Sequence, residues 1–391
     1  MVENEYVNGI LDNDLYKFTM QNAVCINFPN AIVSHDFINR DGREFPSGFA
    51  NELGRIVNTF RGFKLSKEGK EFLRLKRPEL PDAYLDYLSG YQFDPNEVHI
   101  RQVDSALGVH IRGPWRKNIL WEPPLMATIS QLYFQFTRDK YPRDKRQQVN
   151  KEKAIALREL GARCVEFGTR RRESLQNHQE VIRDLKEHMK DCLLGTSNVQ
   201  LALDNDLTPF GTYAHEWPMF HAAKYGFKMA SRKSLETWVK TYNGRLGVAL
   251  PDTFTSDIFF QDFDDLYARI FDGLRQDSGD PVGFMHKAVQ RYKELNIDPA
   301  SKTIGFTNSI DNIELVKHIR EACKNRIKDW FGIGTWMSND VGVDPLNIVI
   351  KMAACLINDR WVPTIKLSDD KGKNTGDEKM VKLCKDTLEI D

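Results

Sequence analysis

A parallel, barrel-like α/β fold is predicted for the chain beyond about residue 163, with a smaller α+β layer before it. Three observations carry this. Seven short apolar runs, Cys164–Gly168, Leu193–Asn198, Pro209–Ala214, Gly247–Asp252, Phe271–Asp277, Thr303–Asn308 and Trp330–Thr335, alternate with stretches of helical periodicity. Strands separated by helices need right-handed crossovers, hence a parallel sheet. Polar residues follow strands all round the set and do not gather at one reversal of strand order, which favours an incomplete seven-stranded α/β barrel over an open doubly wound sheet. In a barrel these polar endings converge on one mouth, where catalytic groups belong.

The N-terminal part mixes element types. Helical spacing covers Leu11–Val24, Phe49–Thr59 and Lys67–Leu75, while alternating or β-rich runs at Ala31–Ile38, Glu97–Val103 and Gly108–Ile111 predict strands. Domains are expected at 1–140 and 141–344, with 345–391 able to join the first. The charge-dense stretch Arg138–Lys153 predicts a solvated helix face.

At 391 residues the chain exceeds what one core usually holds. Lys plus Arg and Asp plus Glu each number 55, so no global field draws it to nucleic acid or an anionic membrane, and any anion site must be local. No apolar run reaches bilayer length and no leader pattern opens the chain, so a soluble cytoplasmic protein is expected. Six cysteines without a CxxC pair predict reduced thiols. His215-Glu216 begins a zincin-like motif, but the next histidine is His221, at an offset that puts the rings on different helix faces.

Chemistry gathers at the strand ends. Arg170, Arg171 and Arg172 follow the first run, and three cations at the start of a helix oppose its dipole unless an anion, or Glu166 and Glu173, neutralise them. The second run ends Gly195-Thr196-Ser197-Asn198, whose amides can approach a ligand. His215 follows the third run, and a histidine there can serve as base, nucleophile or phosphoryl acceptor if a carboxylate such as Asp252 orients it. The fifth ends Arg275-Gln276-Asp277-Ser278-Gly279-Asp280-Pro281. Capping by Asp280 before Pro281 explains the end of this stretch; Arg275, Asp277 and Ser278 suit a sugar phosphate with Mg²⁺. Thr307-Asn308 and Gly334-Thr335 close loops able to wrap a phosphate.

The segments Leu11–Met20, Glu166–Arg172, Gly195–Val199, Gly211–Trp217, Asp252–Asp257, Arg275–Pro281 and Phe331–Thr335, in this order, resemble the nicotinate phosphoribosyltransferases, as do Pro345–Lys351 and Lys366–Asp369. The resemblance implies a type II phosphoribosyltransferase, a seven-stranded incomplete barrel beside an α+β domain. It implies synthesis of nicotinate mononucleotide and pyrophosphate from nicotinate and 5-phosphoribosyl 1-pyrophosphate, with Mg²⁺, and with ATP as co-substrate phosphorylating His215. Tyr16 and Phe167 match the aromatic pair around the pyridine ring, with Arg170 beside it. Asp277 falls near ribose, Thr307, Asn308, Gly334 and Thr335 around the 5-phosphate, and Thr19, Arg171 and Ser278 nearby. Whether Tyr16 serves its own chain or a homodimer partner stays open. In the related nicotinamide phosphoribosyltransferases an aspartate takes the place of Ser197; it would accept from an amide and repel a carboxylate, so Ser197 favours the acid. A quinolinate enzyme would need further cations and no phosphohistidine, and a non-catalytic protein on the fold could have lost His215 and Asp277.

Overall fold

The computed structural model describes residues 4–137, 140–370 and 373–390; Arg138 and Asp139 of the charge-dense stretch lie outside them. Among these residues eleven strands form: β1 (Ile32–Asn39), β2 (Val98–Val103), β3 (Ala106–Pro114), β4 (Cys164–Glu166), β5 (Leu193–Thr196), β6 (Val248–Ala249), β7 (Gly273–Gln276), β8 (Thr303–Phe306), β9 (Lys328–Ile333), β10 (Ile348–Ile357) and β11 (Arg360–Pro363). They make one five-stranded and one six-stranded sheet. Among the described residues no helix is long and apolar enough to cross a membrane.

The chain forms two compact units, each assembled from separate stretches: 1–25, 34–211 and 333–351 in the first, 26–33, 212–332 and 352–391 in the second. The boundary expected near residue 140 falls inside the first unit. The C-terminal segment divides, 345–351 going to the first unit and the rest to the second.

In the first unit β2 and β3 pair antiparallel, Val98 opposite Ile111, and β4 runs parallel to β5, Glu166 opposite Thr196. The helix Phe49–Thr59 forms as its spacing predicts: Phe49, Leu53, Ile56 and Val57 share one buried stripe. The helix Leu15–Asn27 is different, with every residue from Leu15 to Val24 buried, polar ones included. A helix buried all round must pair its polar groups inside the protein. Lys17 does so with Glu122, Nζ to Oε2 at 2.7 Å, and Gln21 donates to the Arg116 carbonyl at 2.7 Å. The charge-dense stretch becomes the helix Arg143–Glu159, which buries only Asn150, Lys153, Ala154 and Leu157.

The second unit holds four parallel strands in the order β9-β8-β7-β6, with Val248 opposite Gly273 and Gln276 opposite Phe306. A Cβ at Gly273 would stand 2.1 Å from the Thr303 carbonyl oxygen, so only glycine lets β7 approach β8 here. Asp280 caps the helix Pro281–Glu294 by accepting from Gly283 N, with Pro281 at the first helical position, as expected.

Six of the seven predicted runs contain a strand. Pro209–Ala214 does not: it makes an isolated parallel bridge from Pro209 to Thr196, and Phe210 N donates to the Thr196 carbonyl at 2.8 Å. Proline has no amide to give a ladder. β10, β11 and the helix Glu378–Leu388 lie where no element was expected. That helix packs Met380, Val381, Cys384 and Leu388 into a small core with Ala230, Phe254, Ile365 and Leu367.

Candidate active site

Three short strands of the second unit end beside one another, and the residue types that follow them build a charged cluster. Asp252 comes three residues after β6, Asp277 directly after β7 and Thr307 directly after β8. His215 directly precedes the helix Glu216–Tyr225 and is 4% exposed. Its Nδ1 lies 3.0 Å from Thr253 Oγ1 and its Nε2 3.0 Å from Asp277 Oδ2 and 3.6 Å from Asp252 Oδ1. Lys366 completes the ring, Nζ 3.0 Å from His215 Nε2 and 2.9 Å from Asp252 Oδ2.

The other polar atoms are nearly all paired. Arg275 meets Asp277 Oδ2 at 3.1 Å and donates to Thr307 and Thr212 hydroxyls at 3.2 and 3.0 Å. Thr307 donates to Asp277 Oδ1 at 2.6 Å. Ser278 donates to Asp252 Oδ2 at 2.7 Å and accepts from Asp369 N at 3.0 Å. Asn308 reaches the Gly279 carbonyl at 3.4 Å. Burial, assisted by Lys366 and opposed by the two carboxylates, pushes the His215 imidazole down to about 4, so it is neutral at physiological pH. Burial works to raise Asp277, but Arg275 and His215 hold it well below the usual carboxylate range.

One donor each from His215, Asp252 and Asp277 lies within 4.8 Å of the other two, a spacing that could surround a cation. These donors do not suit a resident Mg²⁺. That ion takes oxygen ligands in near-ideal octahedral geometry. Here one donor is an imidazole, the Lys366 ammonium already bridges two of the residues, and Asp252 Oδ1 is the one carboxylate oxygen of the pair without a hydrogen bond.

The remaining expected residues, Tyr16, Thr19, Phe167, Arg170, Arg171, Ser197, Gly334 and Thr335, belong to the first unit. Glu166 at the end of β4 is buried and accepts from Thr196 Oγ1 at 2.6 Å and from Gly168 N. A Cβ at Gly168 would overlap Ser338 Oγ at 2.1 Å, so glycine is needed for the turn into Thr169–Arg171. The arginines stand ahead of the helix Leu175–Met189, which Ser174 caps, and they have separate fates. Arg172 is fully buried and pairs bidentately with Asp12, 2.7 Å on each bond. Arg170 faces Asp14 at 3.5 Å and Glu122 at 3.3 Å. Arg171 makes no side-chain hydrogen bond or ion pair among the described residues, and burial together with Arg170 and Arg40 draws it down to about 10. The expected partners Glu166 and Glu173 pair elsewhere, with His178 at 2.8 Å and with Lys140 at 2.8 Å.

Around Tyr16 the surroundings are equally specific. The Arg170 guanidinium lies 5.7 Å from its ring centroid, and its buried hydroxyl has no hydrogen-bond partner among the described residues. Ser197 donates to Asp14 Oδ1 at 2.8 Å, and burial raises the Asp14 carboxyl against Arg170 and Ser197. Thr19 spends its hydroxyl on the Tyr16 carbonyl at 3.0 Å. The sequence reading assigned no role to Lys366, Thr253, Asp14 or Glu122. Asp14, Thr253 and Lys366 all lie within segments that carry the resemblance, which was the available signal.

A mixed α/β protein whose short parallel strands end in a neutral histidine, two carboxylates and two cations has the construction of an enzyme. Residues 162–391 match the Nicotinate phosphoribosyltransferase (NAPRTase) family and residues 11–130 the family's N-terminal domain. The chain therefore belongs to the nicotinate phosphoribosyltransferase family. It is 47% identical over 386 residues to the Nicotinate phosphoribosyltransferase of Desulforapulum autotrophicum, covering 98% of this chain and 99% of that one. It is 45% identical to that of Chromohalobacter salexigens, with the same coverage. The crystal structure of Nicotinate phosphoribosyltransferase from Porphyromonas gingivalis superposes with a TM-score of 0.96 at 40% identity, covering 98% of this chain and 100% of that one.

Proposed function

We propose that the protein joins nicotinate to 5-phosphoribosyl 1-pyrophosphate, giving nicotinate mononucleotide and pyrophosphate in NAD salvage, with ATP hydrolysis coupled through His215. The carrying observation is the neutral, buried His215 held between Thr253, Asp277 and Lys366. A neutral imidazole keeps a nitrogen electron pair. That pair can attack the γ-phosphorus of ATP, forming the N–P bond as the bridging P–O bond breaks and ADP leaves with the electrons. Arg275 supplies a cation for the departing diphosphate, and the oxocarbenium-like ribosyl centre needs a carboxylate nearby, the role read for Asp277. Mg²⁺ enters on this reading with the phosphorylated substrates.

For the pyridine, Tyr16 and Phe167 supply the aromatic walls, and Arg170 and Arg171 the positive charge for a carboxylate. We read Thr307, Asn308, Gly334 and Thr335 as 5-phosphate ligands, with Ser278 and Thr19 supporting the site. The parallel strands are taken as an incomplete barrel with 209–214 in place of a seventh strand, a reading supported by the bridge from Thr196 to Pro209. The six cysteines are free, which fits action in the reducing cytoplasm.

Labelled nicotinate with 5-phosphoribosyl 1-pyrophosphate should yield mononucleotide, and Mg-ATP should stimulate it. Intact mass should show one acid-labile phosphoryl group that His215→Ala removes. No mononucleotide from nicotinate, with product from nicotinamide, would favour the amide reading. Mixing Tyr16→Ala and His215→Ala chains tests a homodimer with shared sites, since only shared sites regain activity.

A further inference from the structure

We propose that Lys366 is a positioning residue for His215, its ammonium lying against Nε2 so that this nitrogen keeps its electron pair between two carboxylates. This rests on the phosphohistidine reading above for its purpose, but not for its geometry.

The Lys366 side chain is 12% exposed and reaches Nε2 at 3.0 Å and Asp252 Oδ2 at 2.9 Å. Its backbone is clamped: Lys366 N donates to the Thr375 carbonyl at 3.0 Å, Thr375 N returns a bond at 2.8 Å, and Leu367 N donates to the Thr253 carbonyl at 2.8 Å. The same short stretch therefore approaches the imidazole at Nε2 through Lys366, and through Thr253 it is tied to the residue facing Nδ1.

An ammonium has three donors and no acceptor, so against Nε2 it meets a lone pair, whereas Asp277 Oδ2, 3.0 Å from the same nitrogen, can only accept and would draw a proton there. On this proposal Lys366 tips the competition, and the proton of the neutral ring sits on Nδ1, directed at Thr253 Oγ1. The charged groups facing His215 are Asp252, Asp277 and Lys366, and Arg275 pairs with Asp277 from its other side. Two anions and two cations cancel. Without Lys366 the imidazole would face two carboxylates with one cation between them, and taking a proton at Nε2 would restore the balance. An imidazolium has no electron pair there to offer phosphorus. The lowered titration of His215, to which Lys366 contributes, agrees with this.

The full-length protein and the variants Lys366→Met and Lys366→Arg should be compared for acid-labile phosphoryl uptake from Mg-ATP between pH 5.5 and 9. Lys366→Met should have its acid limb moved up by about two pH units or more, toward the ordinary imidazole value of about 6.5, so that its rate at pH 5.5 falls roughly tenfold or more below wild type and recovers by pH 9. Lys366→Arg should restore the profile in part. A methionine variant with the wild-type profile, or with an equal loss at every pH, overturns the proposal. ¹⁵N NMR of the His215 ring is a second measure that needs no phosphorylation. It should show the Nδ1-protonated neutral form in the wild type at pH 5.5 and mainly imidazolium in Lys366→Met, or in Lys366→Gln if the methionine chain does not fold. A neutral ring in the variant also overturns the proposal. A wild type that takes no phosphoryl group yet shows the expected NMR contrast defeats the phosphohistidine reading and leaves the placement of Lys366 intact.

Discussion

Ser197 donates its hydroxyl to Oδ1 of Asp14 across 2.8 Å, with both side chains buried. A serine that already gives its proton to a carboxylate is no free donor for a substrate acid. Its effect on acid over amide then includes what it does to Asp14. Ser197→Asp places two carboxylates in contact, where like charges at about 4 Å repel by ~4 kcal/mol at an effective dielectric near 20. One must take a proton at neutral pH. The kcat/KM preference for nicotinate over nicotinamide should fall roughly tenfold or more, with a lowered Tm that adding Asp14→Asn restores. Full preference in the single variant would show that Ser197 does not read the pyridine substituent.

Arg275 and Asp277 sit at a strand end and bind each other and two threonine hydroxyls. Arg275→Ala and Asp277→Ala should each lower kcat/KM by about 10²-fold or more. Thermal melts should move by only a few degrees. Equal damage to melting and turnover would recast both as structural.

Arg172 should behave in the opposite way. Its guanidinium is buried with Asp12 and also donates to the Tyr6 carbonyl at 2.7 Å, so Arg172→Met leaves an uncompensated carboxylate. Breaking a buried pair this way costs about 3–5 kcal/mol. Arg171→Met should spare stability and weaken anion binding. Urea titration and substrate KM values separate the two neighbours.

Acid should act through two of the buried imidazoles. Burial lowers both His215 and His221 to about 4, from an ordinary value of 6.5. Between those values the unfolded chain binds protons that the folded one refuses, so stability is intact above pH 6.5 and declines as pH falls toward 4. The slope is at most about 1.4 kcal/mol per pH unit for each ring. His221 donates from Nδ1 to the Trp217 carbonyl, 2.8 Å away, outside the charged cluster. His221→Gln should flatten the pH dependence of urea unfolding over that window. An unchanged slope would place the acid response elsewhere.

Periodicity made much of the fold legible. Phe49–Thr59 was bounded correctly because its apolar residues keep one face, and Asp280-Pro281 declared a helix start. The run Pro209–Ala214 looked like a strand because apolarity does not report whether a neighbour supplies a ladder. Local charge was harder still. Arg170, Arg171 and Arg172 are alike in sequence, yet one is half-exposed beside two acids, one makes no ion pair among the described residues, and one is sealed against Asp12, 160 positions away. Only long-range folding assigns those partners. Lys366 escaped for the same reason, lying 151 positions from the ring it touches.

The interleaving of the two units bears on how the protein is made. His215 leaves the ribosome long before Lys366, and the second unit's small core of Ala230, Phe254, Ile365, Leu367 and Cys384 cannot close until the stretch beyond residue 352 has emerged. A nascent chain stalled short of that stretch would carry the histidine without its ammonium, amid unfinished apolar surface of the kind that chaperones recognise. Competence for chemistry and completion of the core thus arrive together, late in translation.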